Sequence, residues 1–217
     1  MPIEQKTILT AVKEAKEKSE KRNFTQSVEL VLNLQDIDMK SPEGRIQENI
    51  ELPYPPKGKT NKICVFATGE LALKAKKANA ELVVDRTELE GLAGNKKELR
   101  KIANEYDFFL AEASLMPLVG KIFGAVLGPR GKMPIPVPPT ADIESLINKY
   151  RRTVVVRMRN QPLIQCRVGT EDMKEEEIAE NIQAILRVVE GKLKKGIKNI
   201  KSLCVKTTMG VPVKIKL

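Results

Sequence analysis

The sequence contains no histidine and no tryptophan, and it has three cysteines among 217 residues. Each scarcity closes off some chemistry. Without an imidazole there is no Ser-His-Asp triad, no Cys-His pair and no histidine-ligated zinc. Cys64, Cys166 and Cys204 lie too far apart in sequence for a CxxC knuckle, so no structural metal is expected. Each sits in an apolar run, which predicts reduced, buried thiols in a cytosolic protein. Aromatic residues make up 4% of the chain, too few for extensive base stacking. The longest uncharged apolar stretch, around Ala113–Gly120, is far short of the roughly 20 residues a membrane-spanning helix needs. Met1–Lys6 has no apolar signal core. The expectation is a soluble, cytoplasmic protein.

What is present is core-forming material and positive charge. Hydrophobic residues make up 41% of the chain, enough to exclude wholesale disorder. The length suits one large domain or two small ones. Lys and Arg number 38 against 28 Asp and Glu, a net charge of +10. That balance favours an anionic partner, either nucleic acid or an acidic membrane surface. No basic helix pattern carries exposed aromatics, which counts against the membrane.

The residue pattern divides the chain. Ile8, Leu9, Val12 and Ala15 form a helical stripe with Lys13, Glu14, Lys16 and Glu17 facing outward. Pro2 suits the first turn and Asn23 the stop. A strand follows, with Val28, Leu30, Leu32 and Leu34 alternating with polar positions, and its polar face is solvent-exposed or ligand-facing. Arg45–Leu52 reads as a second strand. Pro53-Tyr54-Pro55-Pro56-Lys57-Gly58-Lys59 is a rigid extended connector. The style then changes. Ile63–Ala67 and Phe108–Ala111 are continuous apolar runs, as expected of strands buried on both faces. They alternate with helix patterns at Glu70–Asn79, Lys96–Glu105 and Leu115–Leu127, and Leu82–Val84 makes a short strand, so βα units on a parallel sheet are predicted. The proline cluster Gly128–Pro139 closes this series, and Ala141–Tyr150 reads as a helix.

From Thr153 the first style returns. Val154–Arg159 and Leu163–Val168 are predicted to pair as a hairpin across Asn160-Gln161-Pro162. A long helix then carries Ile178, Ile182, Ile185, Leu186 and Val189 on one face, with Asp172 and Glu175 as its capping pair and Arg187 and Lys192 at its end. Two strands, Ser202–Thr208 and Val211–Ile215, break at Met209-Gly210. The prediction is an α/β chain, α+β overall, with two domains. Residues 1–61 and 152–217 form one discontinuous domain, and 62–151 form an inserted Rossmann-like domain.

Charge follows the same division. The middle block carries net +3 and the flanks together net +7. Residues 186–217 hold Arg187, Lys192, Lys194, Lys195, Lys198, Lys201, Lys206, Lys214 and Lys216 against one acid, Glu190, and residues 151–167 hold five arginines and no acid. Such a surface is an electrostatic footprint for phosphates or a solvated face. Phe24, between a charged helix end and a polar-faced strand, either stacks on a base or plugs the core.

Enzyme signatures fail on inspection. Gly58-Lys59-Thr60 lacks the leading glycine of a phosphate loop, since Pro53 stands there. Gly131-Lys132 fails too, with Val126 at the glycine position and Met133 after the lysine. No G-x-G-x-x-G follows Ile63–Ala67. A sugar- or nucleotide-handling enzyme on the middle block is the runner-up to a binding protein.

Four motifs occur in order: Asn23-Phe24-Thr25-Gln26-Ser27-Val28-Glu29, Gly128-Pro129-Arg130-Gly131-Lys132-Met133-Pro134, Arg159-Asn160-Gln161-Pro162 through Cys166-Arg167-Val168-Gly169-Thr170-Glu171-Asp172, and Thr207-Thr208-Met209-Gly210. Together they resemble the large-subunit ribosomal protein L-one family of the mobile side stalk, in its archaeal form. The resemblance implies a split β-α-β sandwich domain from both termini and an inserted three-layer Rossmann-like domain without a nucleotide. It implies no enzymatic activity and no cofactor. Its partners would be the stalk region of large-subunit rRNA, a similar site on the protein's own operon mRNA whose translation is repressed, and exit-site tRNA in the ribosome. Off the ribosome it would be a monomer. Carried onto this sequence, the RNA-binding residues are Phe24, Thr25, Ser27 and Glu29 on the first strand, Arg159, Asn160 and Arg167 from the hairpin, and Thr207, Thr208, Met209 and Gly210 at the strand break. Gly210 would let the backbone approach the RNA, the threonine hydroxyls would meet 2′-hydroxyls, and Met209 would give an adaptable apolar contact. Arg130 and Lys132 either touch a second RNA segment or shape a turn.

Overall fold

A computed structural model describes residues 4–39, 46–58 and 60–216; Pro2, Arg45 and Lys59 lie outside them. The chain divides into two compact units, one of residues 1–60 with 152–217 and the other of residues 61–151.

The first unit is an antiparallel sheet with helices on one face. Helix α1 (Gln5–Glu17) buries Ile8, Ala11, Val12 and Ala15. Ala11 replaces Leu9, which is only half-buried, at the heart of the stripe. The helix stops well before Asn23, with Lys18 as its last turn. Strand β1 (Ser27–Leu34) lies centrally. It pairs with β8 (Leu163–Thr170) on one side and β9 (Ile200–Thr207) on the other, and β10 (Val213–Ile215) completes the order β10-β9-β1-β8. Period-two alternation sends Val28, Leu30, Leu32, Ile164, Cys166, Leu203 and Val205 into the core with α1 and α7 (Glu175–Lys192). Each fully buried Leu, Ile or Val contributes about 1.5–3 kcal/mol. Among the described residues no helix covers the opposite face of this sheet. Glu29, Val31, Asn33, Arg167, Ser202, Cys204 and Lys206 stay half-buried there, while Gln165 and Lys214 are exposed. Cys64 and Cys166 are buried thiols as expected, but Cys204 on this open face is not fully buried.

Two expectations fail in this unit. The first is the hairpin. β7 (Thr153–Arg157) pairs with β2 (Gln47–Glu51) in a separate two-stranded sheet, and β8 pairs with β1. Residues 158–162 carry the chain from one sheet to the other: Met158 N–H donates to Ile46 O at 2.9 Å, and Pro162 O accepts from Leu34 N–H at 2.8 Å. The second is the start of α7, which is Lys174 rather than Asp172. Its N–H donates to Glu177 at 3.2 Å, while Glu175 is turned to Lys16 at 3.0 Å. The proline connector is also bonded to the core of this unit. Tyr54 N–H donates to Asn181 Oδ1 at 3.0 Å, and Asn181 Nδ2 donates to Tyr54 O and Val168 O, both at 2.8 Å. The proline segment is thus docked on α7 through a buried amide.

The second unit is a parallel sheet of order β4-β3-β5-β6: β3 (Ile63–Phe66), β4 (Leu82–Val84), β5 (Phe108–Glu112) and β6 (Ile135–Val137). Helices α2 (Gly69–Lys77) and α6 (Ile143–Arg151) bury Leu71, Ala75, Ile143 and Ile147. Helices α3 (Arg86–Gly91), α4 (Lys96–Glu105) and α5 (Met116–Leu127) cover the other face, around Phe66, Phe109 and Phe123. Phe66 lies 5.2 Å from Phe123 and 6.1 Å from Phe109, centroid to centroid. The proline cluster does not end the series, because it contains β6. That strand sits at the sheet edge, where a proline without an N–H breaks no interior ladder. Helix α3, with Asp85 as its cap at 2.8 Å from Glu88 N–H, is a further element that the apolar pattern does not mark.

Candidate nucleic-acid interface

The open face of the first unit's sheet has two ends. At one end β9 stops and three stretches of chain meet: Ser19–Glu20 after α1, Thr25–Ser27 entering β1, and Thr207–Gly210 leaving β9. Buried Gln26 joins them. Its Nε2 donates to Ser19 Oγ and to Glu20 O, both at 2.9 Å, and its Oε1 accepts the Met209 N–H at 3.1 Å. The Gln26 N–H reaches Glu171 Oε1 at 2.8 Å, and Gln26 O accepts from Glu171 N–H at 3.0 Å.

Within this lattice the strand break is held at every residue. Thr207 Oγ1 lies 2.9 Å from Ser19 Oγ and is fully buried. Thr208 Oγ1 accepts from Ser27 N–H at 3.0 Å and donates to Ser27 O at 3.3 Å. Lys206 Nζ donates to Thr208 O at 3.1 Å, and Gly210 N–H donates to Thr207 O at 3.2 Å. Both threonine hydroxyls therefore serve the fold. Gly210 has an internal reason as well. A Cβ there would fall 2.2 Å from Thr207 Oγ1, and that hydroxyl is buried and bonded, so it has little freedom to yield.

What the lattice offers to solvent is apolar. Phe24 is 49% exposed, Met209 61% and Val211 62%. Phe24 thus does not plug the core. Beside them on the open face, Glu29 stands opposite Arg167 on β8 and Lys206 on β9, with Lys206 Nζ 3.9 Å from its carboxylate. Thr25 is half-buried at the same end. A β-bulge between Val28 and Glu29 shifts the β8 register here. Gly169 lies on β8 at the bulge, where a Cβ would come within 3.0 Å of Ile178 on α7.

The structure does not bring Arg159 and Asn160 to this end. Both are exposed and precede Pro162, which bonds Leu34 at the far end of β1. Eight residues of β1 separate them from the Phe24–Met209 group.

The pattern of the ribosomal protein L1p/L10e family matches residues 13–211. The chain belongs to that family. It is similar to the protein named large ribosomal subunit protein uL1 of Methanothermobacter thermautotrophicus, at 53% identity over 97% of this chain and 99% of the relative. The proteins of that name from Hyperthermus butylicus (51%, covering 99% of this chain and 98% of the relative) and Pyrococcus abyssi (48%, covering 100% and 98%) are similar over the same extent.

The second unit contains the feature that a nucleotide-binding reading requires, and the feature is filled. Strand order reverses between β3 and β5, so the crevice beyond their carboxyl ends is where a ligand phosphate would sit, at the N-terminus of α2. Glu112 occupies it. Its Oε2 accepts from Thr68 N–H at 3.0 Å and Thr68 Oγ1 at 2.9 Å, and its Oε1 accepts from Ser114 Oγ at 2.7 Å. The Ser114 and Thr68 donors hold its carboxyl below the usual range, so it is a fixed anion. A carboxylate in the cradle repels a phosphate, which removes the ground for a nucleotide-handling activity.

Lys132 has a structural role. Its ammonium donates to Tyr106 O at 2.6 Å and Ala103 O at 3.2 Å, capping the carboxyl end of α4. Partial burial lowers its pKa from the ordinary value. Arg130 bonds Asn104 on the same helix, which fits the turn-shaping alternative. The residues that sequence reasoning missed are Gln26 and Ser19. Gln26 lies between two candidate RNA-binding residues, at the one inward position of the alternation that is polar, and a buried polar side chain must find partners.

Proposed function

We propose that this protein binds the side-stalk region of large-subunit rRNA through the Phe24–Met209 end of the open sheet. Membership of the family makes it a large-subunit ribosomal protein whose partner in the ribosome is rRNA, and not an enzyme. By this reading it also binds a similar site on its own operon mRNA and represses translation, acts in exit-site tRNA movement, and is monomeric off the ribosome. The observation that carries the reading is the exposure of Phe24, Met209 and Val211 on a hydrogen-bonded frame next to Glu29, Arg167 and Lys206. A rigid platform of stacking and apolar groups, with a carboxylate able to accept from a 2′-hydroxyl or base amino group, suits recognition of RNA shape and sugar edges. Thr207, Thr208 and Gly210 support it as frame, and Ser27 and Thr25 flank it.

A stalk rRNA fragment titrated with the purified protein tests this. Met209→Asp places a charge on the exposed apolar tip without touching the lattice. It is expected to weaken binding on the order of thirtyfold or more, the scale of a central contact. Binding equal to the parent's would remove the site from this end of the sheet.

A further inference from the structure

The far end of the open sheet is built as firmly as the near end, and it is basic. Between α7 and β9 the chain turns through Lys195, Gly196 and Lys198. Gly196 adopts a positive φ of 55°, and buried Asn199 locks the turn. Asn199 Oδ1 accepts from Lys195 N–H at 2.8 Å, and its Nδ2 donates to Gln35 O at 2.9 Å. Asn199 O accepts from Gln35 N–H at 2.7 Å, and Gln35 Nε2 donates to Lys198 O at 3.0 Å. The turn is therefore tied to the exit of β1. On the opposite flank of that exit lies Pro162, whose carbonyl accepts from Leu34 N–H.

Lys195, Lys198 and Lys201 are exposed. Lys201 sits at a register shift, where Leu34 pairs with Ile200 and Asn33 with Ser202. Asp36 bonds Lys195 at 3.0 Å and offsets one of these charges. Between the two ends the open face presents Gln165, Asn33, Ser202 and Lys214, with Glu29 the one acid among the face residues of these strands. From Lys201 to Thr208 is seven residue steps, about 24 Å along a strand.

We infer that Lys198 and Lys201 form a second contact surface for RNA phosphates, so that one RNA lies along the whole open face. The inference rests on the RNA-binding reading above and extends it. Recognition sits at the Phe24–Met209 end, and sequence-independent backbone contact sits at the lysine end. Lysines on a turn whose backbone is already ordered suit phosphates, because binding gains from counterion release without ordering the loop.

The test is the salt dependence of binding to the stalk rRNA fragment. The Lys198→Ala/Lys201→Ala double variant should bind several-fold more weakly at about 0.1 M salt and lower the log–log salt slope by roughly 1.4–1.8, at about 0.7–0.9 per phosphate contact. A control double variant, Lys6→Ala/Lys13→Ala on exposed positions of α1, removes the same charge from the helix-covered side and should leave the slope near the parent's. Equal slopes for the lysine-end variant and the parent, or equal losses in both doubles, would overturn the inference. Met209→Asp separates the two readings. If it abolishes binding while the lysine-end variant changes nothing, the second surface is wrong and the first stands. If neither variant weakens binding, the RNA-binding reading itself fails.

Discussion

The two units treat their sheets in opposite ways. In the second, helices cover both faces of a parallel sheet, and Glu112 with its three donors fills the crevice at the point where strand order reverses. In the first, α1 and α7 cover one face, and the other keeps its polar and cationic side chains half-buried or exposed. The second unit thus encloses its parallel sheet and sets a bonded carboxylate at the crevice, whereas the first leaves one sheet face open among the described residues. On the proposed reading the uncovered face is what meets a large anionic polymer, and the fold class of the inserted unit says little about function.

The contrast can be broken most sharply from the second unit. Phe123→Ala removes a fully buried ring from the cluster with Phe66 and should destabilise that unit by about 3–5 kcal/mol. Thermal unfolding is expected to show an early transition, while affinity for the stalk RNA measured below it stays that of the parent. Loss of affinity in proportion to the lost stability would place RNA contacts on the inserted unit.

Next in size is the lattice under the strand break. Gln26→Met keeps the volume but leaves the Met209 N–H without its acceptor, at a cost of about 1–3 kcal/mol. Amide exchange at Met209 should accelerate well ahead of exchange in β1, and RNA should bind more weakly with an unchanged salt slope. An unchanged exchange rate would show that Gln26 does not hold the break.

Gly210→Ala asks why the glycine is there. Steric conflict with Thr207 Oγ1 should cost about 1–3 kcal/mol, and adding Thr207→Ala should recover part of that loss in a double-mutant cycle. If the glycine serves RNA approach alone, Gly210→Ala will leave stability untouched, and the cycle will show no coupling.

The smallest effect is electrostatic. Lys16 donates to Glu175 and holds its carboxyl below the ordinary value of 4.5. A depressed folded pKa gives stability that is present above pH 4.5 and lost as pH falls through the folded value. With Glu175 partly exposed, the contribution is modest. Lys16 also donates to Met173 O, so Lys16→Met should lower the unfolding midpoint slightly at neutral pH, with the difference shrinking as pH falls below 4.5 to a part set by that carbonyl bond; a difference of the same size at every pH would show that Glu175 contributes nothing.

Much of this molecule is legible in its residues, and the failures have physical causes. The alternation in Val28–Leu34 and the helical stripe of Ile178–Val189 are local signals, and both elements form. The hairpin expected around Asn160-Gln161-Pro162 is a pairing choice, and pairing depends on partners far away in sequence: Ile46 claims Met158, and Leu34 claims Pro162. β6 is hidden because its prolines suit an edge strand, a position invisible until the sheet order is known. The candidate site splits in the same way. Its residues can be read from the chain, but not that Thr207 and Thr208 turn their hydroxyls inward, nor that Arg159 and Asn160 stand at the opposite end of the sheet. Gln26 hides behind the alternation that predicts an apolar side chain at its position.

Amide hydrogen exchange of the protein, free and bound to a stalk rRNA fragment, tests the central claim directly. The account predicts new protection at Thr25–Val31, Arg167 and Thr207–Val211, and at Lys198–Ser202 if the second surface is engaged, with none at Thr68–Leu71 or Ala113–Ser114. Protection concentrated at Thr68–Leu71 and Ala113–Ser114, with the open sheet unchanged, would contradict it.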